Sequence, residues 1–387
     1  MTGPLDGIKI VDLTSMISGP VATMLLADQG AEVIKVEPKN GDIVRYVGFG
    51  DKGLTGTFLT VNRGKKSINL DLKSERGKEV LKKIIITADC FIQNFRPGAI
   101  ERMGFGEEEV RKIKEDIIYV SISGFGEEGP YSKKRVYDPV IQALSGLASI
   151  QSDRETGRPR MVRTIVPDKV TALTAAQAIT AALLAKERKG IGQHVRLSML
   201  DSMINFLWPE GLVHLTFNGE DKFSPDKKLS QDLVYETKDN YITVGAVTDS
   251  EWEGLCVSLD REEWISDERF DTPTKRVVNA PERFHETQKV LKNKTAEEWL
   301  EIFDLHDVPC APVLERSALL QHEQIIVNEI IEEYNHPTSG IIRQARPAAK
   351  FSKTEAKIQS PAPLLGEHKR EILLDIGMSD TEISELF

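Results

Sequence analysis

The sequence predicts an α/β protein of two domains, and two observations carry that reading. Residues 8–13 and 32–37 are short runs rich in Val and Ile on either side of an apolar helical stretch, 20–28. Such a βαβ unit predicts a parallel sheet covered by helices. The second observation is length: 387 residues exceed what one hydrophobic core normally serves.

The strand series continues at 67–72, 90–95 and 117–122, with charged helical stretches between, so the first part is α/β throughout. A long alanine-rich helix then follows Val166-Pro167-Asp168. Val170, Leu173, Ala176, Ile179 and Leu183 recur at spacings of three and four and predict its apolar stripe. Lys186 to Gly190 supplies the cations and the glycine that suit its C-terminus. Another helix is expected over 199–217, carrying Met203, Phe206, Leu207 and Val213, interrupted at Pro209 and ending at a polar break, 218–221. After a charged connection, 221–228, residues 234–237 and 241–244 bracket a turn at 238–240 and open a smaller α+β domain. That domain includes a helix at 296–303 and closes near 308–312; residues 330–343, broken at 336–340, read as a hairpin returning to the first domain. The expected division is 1–220 for the first part of the large domain, 221–312 for the small one, and 313–387 for the segment completing the large one.

A net charge of -10 argues against nucleic-acid binding, so a phosphate-bearing ligand must be held by a local basic cluster. Three widely spaced cysteines, Cys90, Cys256 and Cys310, predict neither a disulfide framework nor a zinc site and fit a reducing compartment. The N-terminus has no signal-like pattern and no apolar run is long enough to cross a bilayer, so a cytoplasmic protein without membrane partners is expected.

Several chemistries are excluded by pattern. Glu37 sits where a dinucleotide fold places its ribose-binding acid, but the turn 14–20 lacks G-x-G-x-x-G, which disfavours a nicotinamide dehydrogenase. Gly64-Lys65-Lys66-Ser67 resembles the end of a phosphate loop, yet Leu59 replaces its first glycine and a strand follows instead of a helix. There is no G-x-S-x-G elbow and no histidine pair spaced for a metal, and His194 reads as a structural loop residue. Lys39, Arg45, Arg63, Lys65, Lys66, Lys73, Arg96 and Arg102 lie at or after strand ends of the first domain, where parallel sheets bind ligands; they read either as a phosphate-holding set or as ordinary solvated charges. A lone carboxylate, Asp168, is then the best candidate for covalent chemistry. Position alone favours a capping role for it, worth about 0.5–2 kcal/mol.

The chain resembles the family III CoA-transferases, the group that includes formyl-CoA and carnitine CoA-transferases, with α-methylacyl-CoA racemases as relatives of the same fold. The resemblance runs nearly end to end: Gly19-Pro20, residues 32–38, Gly41-Asp42 with Arg45, residues 63–67, Asn94-Phe95-Arg96-Pro97-Gly98, Gly192-Gln193, and residues 361–368. It implies that Asp168 is the nucleophile and that Asn94 and Phe95 line the CoA site. It further implies that Lys73, Arg96, Arg102 and Arg135 lie near CoA, with Met199 by the pantetheine. Lys39 is a looser match, because relatives with a stacking arginine carry it where this chain has Pro38. Ile17 stands where some transferases have a glutamine, and Tyr137 where the racemases have their histidine; both are expected to line the substrate. The implied fold is a large Rossmann-like domain built from both chain ends plus the small domain, in an interlocked homodimer.

The resemblance implies CoA transfer from an acyl-CoA to a carboxylic acid, with coenzyme A as substrate and no permanently bound cofactor or metal. An ordinary aspartate, with a pKa of about 3.9, is already ionised at neutral pH, which leaves positioning as the protein's task. The alternatives are an acyl-CoA racemase, for which Tyr137 is a poor base, and a CoA-binding protein without turnover, in which Asp168 only caps a helix.

Overall fold

A computed structural model describes residues 2–51, 54–153, 155–217 and 232–384. Six parallel strands form the main sheet: β1 (Lys9–Asp12), β2 (Glu32–Glu37), β3 (Lys65–Asn69), β4 (Cys90–Gln93), β5 (Ile118–Ser123) and β6 (His194–Ser198). Their order is β3-β2-β1-β4-β5-β6, so the direction of winding reverses between β1 and β4. In sheets of this kind the crevice beyond the strand ends at that switch point is where ligands bind. Strand β3 starts two residues before its expected position because Lys65 and Lys66 belong to it. Lysines in a strand look like loop residues until their partners are known. Strand β4 stops at Gln93, whose side-chain oxygen accepts the Phe95 N–H at 2.8 Å and turns the chain.

Between the strands run α1 (Ser18–Asp28), α2 (Glu75–Ile86), α3 (Asp138–Leu144) and α4 (Val166–Lys189), with α5 (Met199–Leu207) after the last. The pleat sorts alternate residues to opposite faces. Ile10, Val33, Ile92 and Val120 pack on one side with Ala22 and Leu26 of α1 and with α4, whereas Val11, Ile34, Phe91 and Tyr119 pack on the other with Val80, Leu81, Ile84 and Ile85 of α2. Helix α4 turns inward through Ala172, Ala175, Ala176, Ile179, Ala182 and Leu183. The expected stripe through Leu173 is therefore rotated, since Leu173 is 59% exposed. Alanines let α4 approach the sheet and α1 closely, and the helix ends as expected at Gly190 in the left-handed conformation (φ 67°). The helix expected over 199–217 stops at Leu207, and a short 3-10 turn follows at Val213–Thr216, in keeping with an interruption at Pro209. The polar break at 218–221 and the connection at 221–228 fall outside the described residues.

The chain forms two compact units, one of Met1–Asp153, Gly157–Val213 and Glu329–Phe387, the other of Arg154–Thr156 and His214–Asn328. In the second, β7 (Val234–Glu236), β8 (Tyr241–Val244) and β9 (Cys310–Pro312) make an antiparallel sheet of order β9-β8-β7. It packs with α6 (Asp249–Ser258), α7 (Ala280–Leu291) and α8 (Ala296–Leu305) around Trp252, Phe270, Trp299 and Phe303. Helices α6 and α8 each open on a capping box, from Thr248 to Glu251 and from Thr295 to Glu298.

The C-terminal segment returns through the hairpin β10 (Ile331–His336) and β11 (Gly340–Ala345) to α9 (Lys369–Asp375). It is tied to the first chain end by buried arginines. Arg63 donates to Gln344 Oε1 at 2.8 Å and to the Ala345 carbonyl at 2.9 Å, and Arg45 donates to the Pro363 carbonyl at 3.1 Å.

Candidate active site

Helix α4 has no side-chain cap of its own: Ile165 stands at the N-cap, and Asp168 is the third helical residue. The capping carboxylate comes from another helix. Asp138, 4% exposed at the start of α3, accepts the Asp168 backbone N–H at 3.2 Å. Its second oxygen accepts from Gln142 Nε2 at 2.6 Å, and the Gln142 amide also accepts the Val162 N–H at 2.9 Å and donates toward the Val162 and Thr164 carbonyls at 3.3 Å. One buried glutamine thus clamps the approach to α4 onto α3, and the capping role expected of Asp168 belongs to Asp138. The Asp168 carboxylate itself accepts the Ser18 backbone N–H and hydroxyl, at the first residue of α1.

Its electrostatics differ from those of an ordinary aspartate. Burial, followed by the negative charge of Asp138, pushes the Asp168 carboxyl up to about 6, against the opposing pull of the Ser18 backbone N–H and hydroxyl. A carboxylate in that state is ionised at neutral pH yet poorly solvated, which leaves its oxygen more reactive than one held in a shell of water.

Ser18 is the first residue of α1, at the end of the loop that leaves β1 at the switch point. That loop is fixed from several sides. Asn94, beyond β4, accepts the Ser15 N–H at 2.9 Å and donates to the Ser15 carbonyl at 2.8 Å. The Met16 N–H reaches Asp42 Oδ1 at 3.3 Å, and Met16 itself is held at φ 68°, an uncommon conformation for a side-chain-bearing residue. At Gly19 a Cβ would come within 2.3 Å of the Thr14 side chain, so only glycine permits the helix to start there. Asn94, Ser15, Ser18, Asp168 and Asp138 therefore follow one another across the crevice.

Beneath the loop lies a buried ionic network. Burial alone would raise the Asp12 carboxyl, but Lys65 and Lys35 outweigh it and hold it at about 2. Lys65 lies 3.1 Å from Asp12, and Lys35 lies 3.0 Å from Asp42 while also donating to the Thr14 carbonyl at 2.9 Å. Beside it, Arg45 pairs with Glu37 at 2.7 Å and stacks on Phe58 at 3.8 Å.

This changes the reading of the basic cluster. Arg45, Arg63, Lys65 and Lys66 are neither phosphate ligands nor solvated charges: they pair with Glu37, Asp28, Asp12 and, for Lys66, with Glu32 and Glu371. Lys39, Lys73, Arg96 and Arg102 remain exposed and make no ion pair among the described residues. Lys39 follows β2 and Lys73 follows β3, while Arg96 and Arg102 bracket the turn after β4, with the Arg102 guanidinium folded close to Gly98. These loops all leave the sheet at its ligand-binding end.

The other expected site residues are placed more loosely. Ile17 is partly buried beside Val44, Phe58 and Leu59, and Phe95 packs on the core behind β4. Tyr137, 67% exposed, precedes Asp138 at the N-cap of α3, and Arg135 is exposed just before it. Met199 is buried with Ile141, Met203 and Leu207. His194 lies on β6 and not in a loop, with Nε2 2.8 Å from Ser121 Oγ and burial pushing its ring down to about 4. Among the described residues no group of His, Cys, Asp or Glu is arranged to hold a metal, and no helix is long and apolar enough to cross a membrane. Sequence reasoning missed Ser18, Asp138 and Gln142. The Asp138-Pro139 step, an acid and a proline in the first turn of a helix, was the available signal for the second.

Residues 5–369 match CoA-transferase family III. The chain is 35% identical to human succinyl-CoA:glutarate CoA-transferase over 99% of its own length and 88% of the relative's. It is 33% identical to formyl-CoA:oxalate CoA-transferase of Rhodopseudomonas palustris over 100% and 96% of the two chains. The crystal structure of Rv3272 from Mycobacterium tuberculosis superimposes with a TM-score of 0.83 at 28% identity, covering 95% of this chain and 98% of that one. A CAIB/BAIF family protein from Brucella suis gives 0.81 over 97% and 100%. The chain belongs to CoA-transferase family III, and it is an enzyme that transfers coenzyme A.

Proposed function

We propose that Asp168 is the nucleophile in a transfer of CoA from an acyl-CoA to a free carboxylic acid. The observation that carries this reading is a carboxylate pushed up to about 6 that does not cap its own helix and faces the first turn of α1 at the switch point of the sheet. An Asp168 oxygen attacks the thioester carbonyl, the C–S bond breaks, and a mixed aspartyl anhydride and CoA thiolate result. The thiolate then attacks the aspartyl carbonyl, giving an aspartyl-CoA thioester and releasing the donor acid as its carboxylate. The acceptor carboxylate attacks that thioester and the same two steps in reverse deliver the new acyl-CoA, with Asp168 restored. As Asp168 becomes acylated its charge disappears, so the Ser18 N–H and hydroxyl are free to turn to a developing carbonyl oxygen.

Lys39, Lys73, Arg96, Arg102 and Arg135 are assigned to the CoA phosphates and adenine, Asn94 and Phe95 to the wall of the CoA site, Met199 to the pantetheine, and Ile17 with Tyr137 to the acyl pocket. The relatives act on succinyl-CoA with glutarate and on formyl-CoA with oxalate, which makes short dicarboxylates the first acids to test. The working form in this reading is an interlocked homodimer in the cytoplasm, where Cys90, Cys256 and Cys310 stay reduced.

Incubating the enzyme with succinyl-CoA and measuring its intact mass tests the covalent step. A CoA adduct that maps to Asp168 and disappears in Asp168→Asn is expected. Turnover without any adduct on rapid quenching would remove Asp168 from the chemistry.

A further inference from the structure

The smaller unit, which contains neither Asp168 nor the loops around it, has a cavity of about 300 Å³. Tyr235, Val244 and Leu255 form apolar walls, and Val247 and Val277, 83% and 57% exposed, form its lip. Three polar groups line the same space: Arg276, Arg283 and Thr287.

Arg276 is accounted for, since it pairs with Asp249 and donates to the Phe270 carbonyl at 3.3 Å. Arg283 is not. Its guanidinium is partly buried 6.0 Å from the centre of the Trp252 ring and makes no ion pair among the described residues. The acids nearby are already committed, Glu282 to Arg269 and Glu286 to Lys289, as Asp249 is to Arg276. Burial weighs most against the charge of Arg283; the Tyr235 phenol opposes it, and the neighbouring Arg276 cation adds a smaller cost. An arginine does not lose its proton in a protein, so the cost remains until an anion arrives. Thr287 repeats the pattern. It is 1% exposed, and its Oγ1 has no partner among the described residues, whereas Thr171, Thr174 and Thr180 in α4 each donate to the carbonyl four residues back.

We propose that this cavity binds a small organic carboxylate, its head held by Arg283 and Thr287 beside Arg276 and its apolar body against Tyr235, Val244 and Leu255. A single-charged head with a short chain matches both the volume and the walls. A phosphate would bring a second charge and leave the apolar walls uncovered.

Hexanoate is the probe, titrated into the enzyme with methyl-labelled Leu and Val observed by NMR. Shifts at Val244, Leu255 and Val277 are expected, together with a loss of affinity of about tenfold or more in Arg283→Met, in line with removal of a charged hydrogen bond. Thr287→Val replaces an unpartnered hydroxyl by an isosteric methyl, so it should fold like the parent while weakening hexanoate binding; it decides the question if Arg283→Met does not fold. Asp168→Asn should bind hexanoate at these methyls as the parent does, which separates this site from the reaction proposed above. Unmoved methyls, unchanged affinity in the arginine and threonine variants, or equal shifts with hexan-1-ol would each overturn the assignment.

Discussion

Asp168→Asn should do more than stop the reaction: it should make the protein more stable at neutral pH. The native state holds the Asp168 proton with a pKa of about 6 against a reference value of 3.8, so the folded protein binds that proton more tightly than the unfolded chain. The sign follows from linkage. A raised carboxyl pKa costs nothing below the unfolded value, costs progressively more as pH rises from about 4 to 6, and is constant above. Two units at 1.36 kcal/mol each give an upper value of roughly 3 kcal/mol, which residual solvent screening reduces to roughly 1–3 kcal/mol. Asparagine carries no charge toward Asp138 and leaves the backbone N–H in place for it. Urea unfolding of parent and variant at equal protein concentration should therefore show the variant ahead by that amount at pH 7.5, with the gain falling to about a third near pH 4.5. CoA transfer should be lost at every pH. A variant less stable than the parent at pH 7.5, or a gain independent of pH, would refute the electrostatic account of this site.

Four further outcomes are expected. In Asp138→Asn the like charge beside Asp168 disappears, so the acid limb of the pH–rate profile should move below its position near pH 6; an unmoved limb would show that Asp138 does not act on Asp168. Lys65→Met leaves Asp12 buried with one cation fewer and should cost roughly 3–5 kcal/mol in denaturant unfolding. Neutralising Lys73 and Arg102 together should weaken CoA binding in calorimetry and flatten its salt dependence, because neither cation pairs with an acid among the described residues. Tyr137→Phe should leave transfer intact, and a chiral 2-methylacyl-CoA incubated in heavy water should remain unlabelled in parent and variant alike.

How much was legible in the sequence varies from residue to residue. The β1–α1–β2 unit, the antiparallel pair at 234–244, the break at Pro209 and the returning hairpin are local features, and alternation, proline and turn residues are local signals that report them directly. Asp168 was singled out by its place before an alanine-rich helix, and the resemblance gave it a role. What the sequence could not assign was the partner of each charge. Lys65, Lys66, Arg45 and Arg63 read either as ligands for phosphate or as solvated charges because a cation in a sequence carries no record of the acid it will meet. Asp12 is 53 residues from Lys65, and Asp28 is 35 from Arg63. The face of α4 was likewise misread at Leu173, since leucine outranks alanine in any hydrophobic pattern while close packing against α1 and the sheet favours the smaller side chain. Alternation, turn residues and helix breaks are properties of neighbours along the chain, and they were determined by the sequence alone. The cap on α4, the raised Asp168 carboxyl and the division of cations into structural and free ones arise between residues that only the fold brings within a few ångströms, so only the tertiary structure decided them.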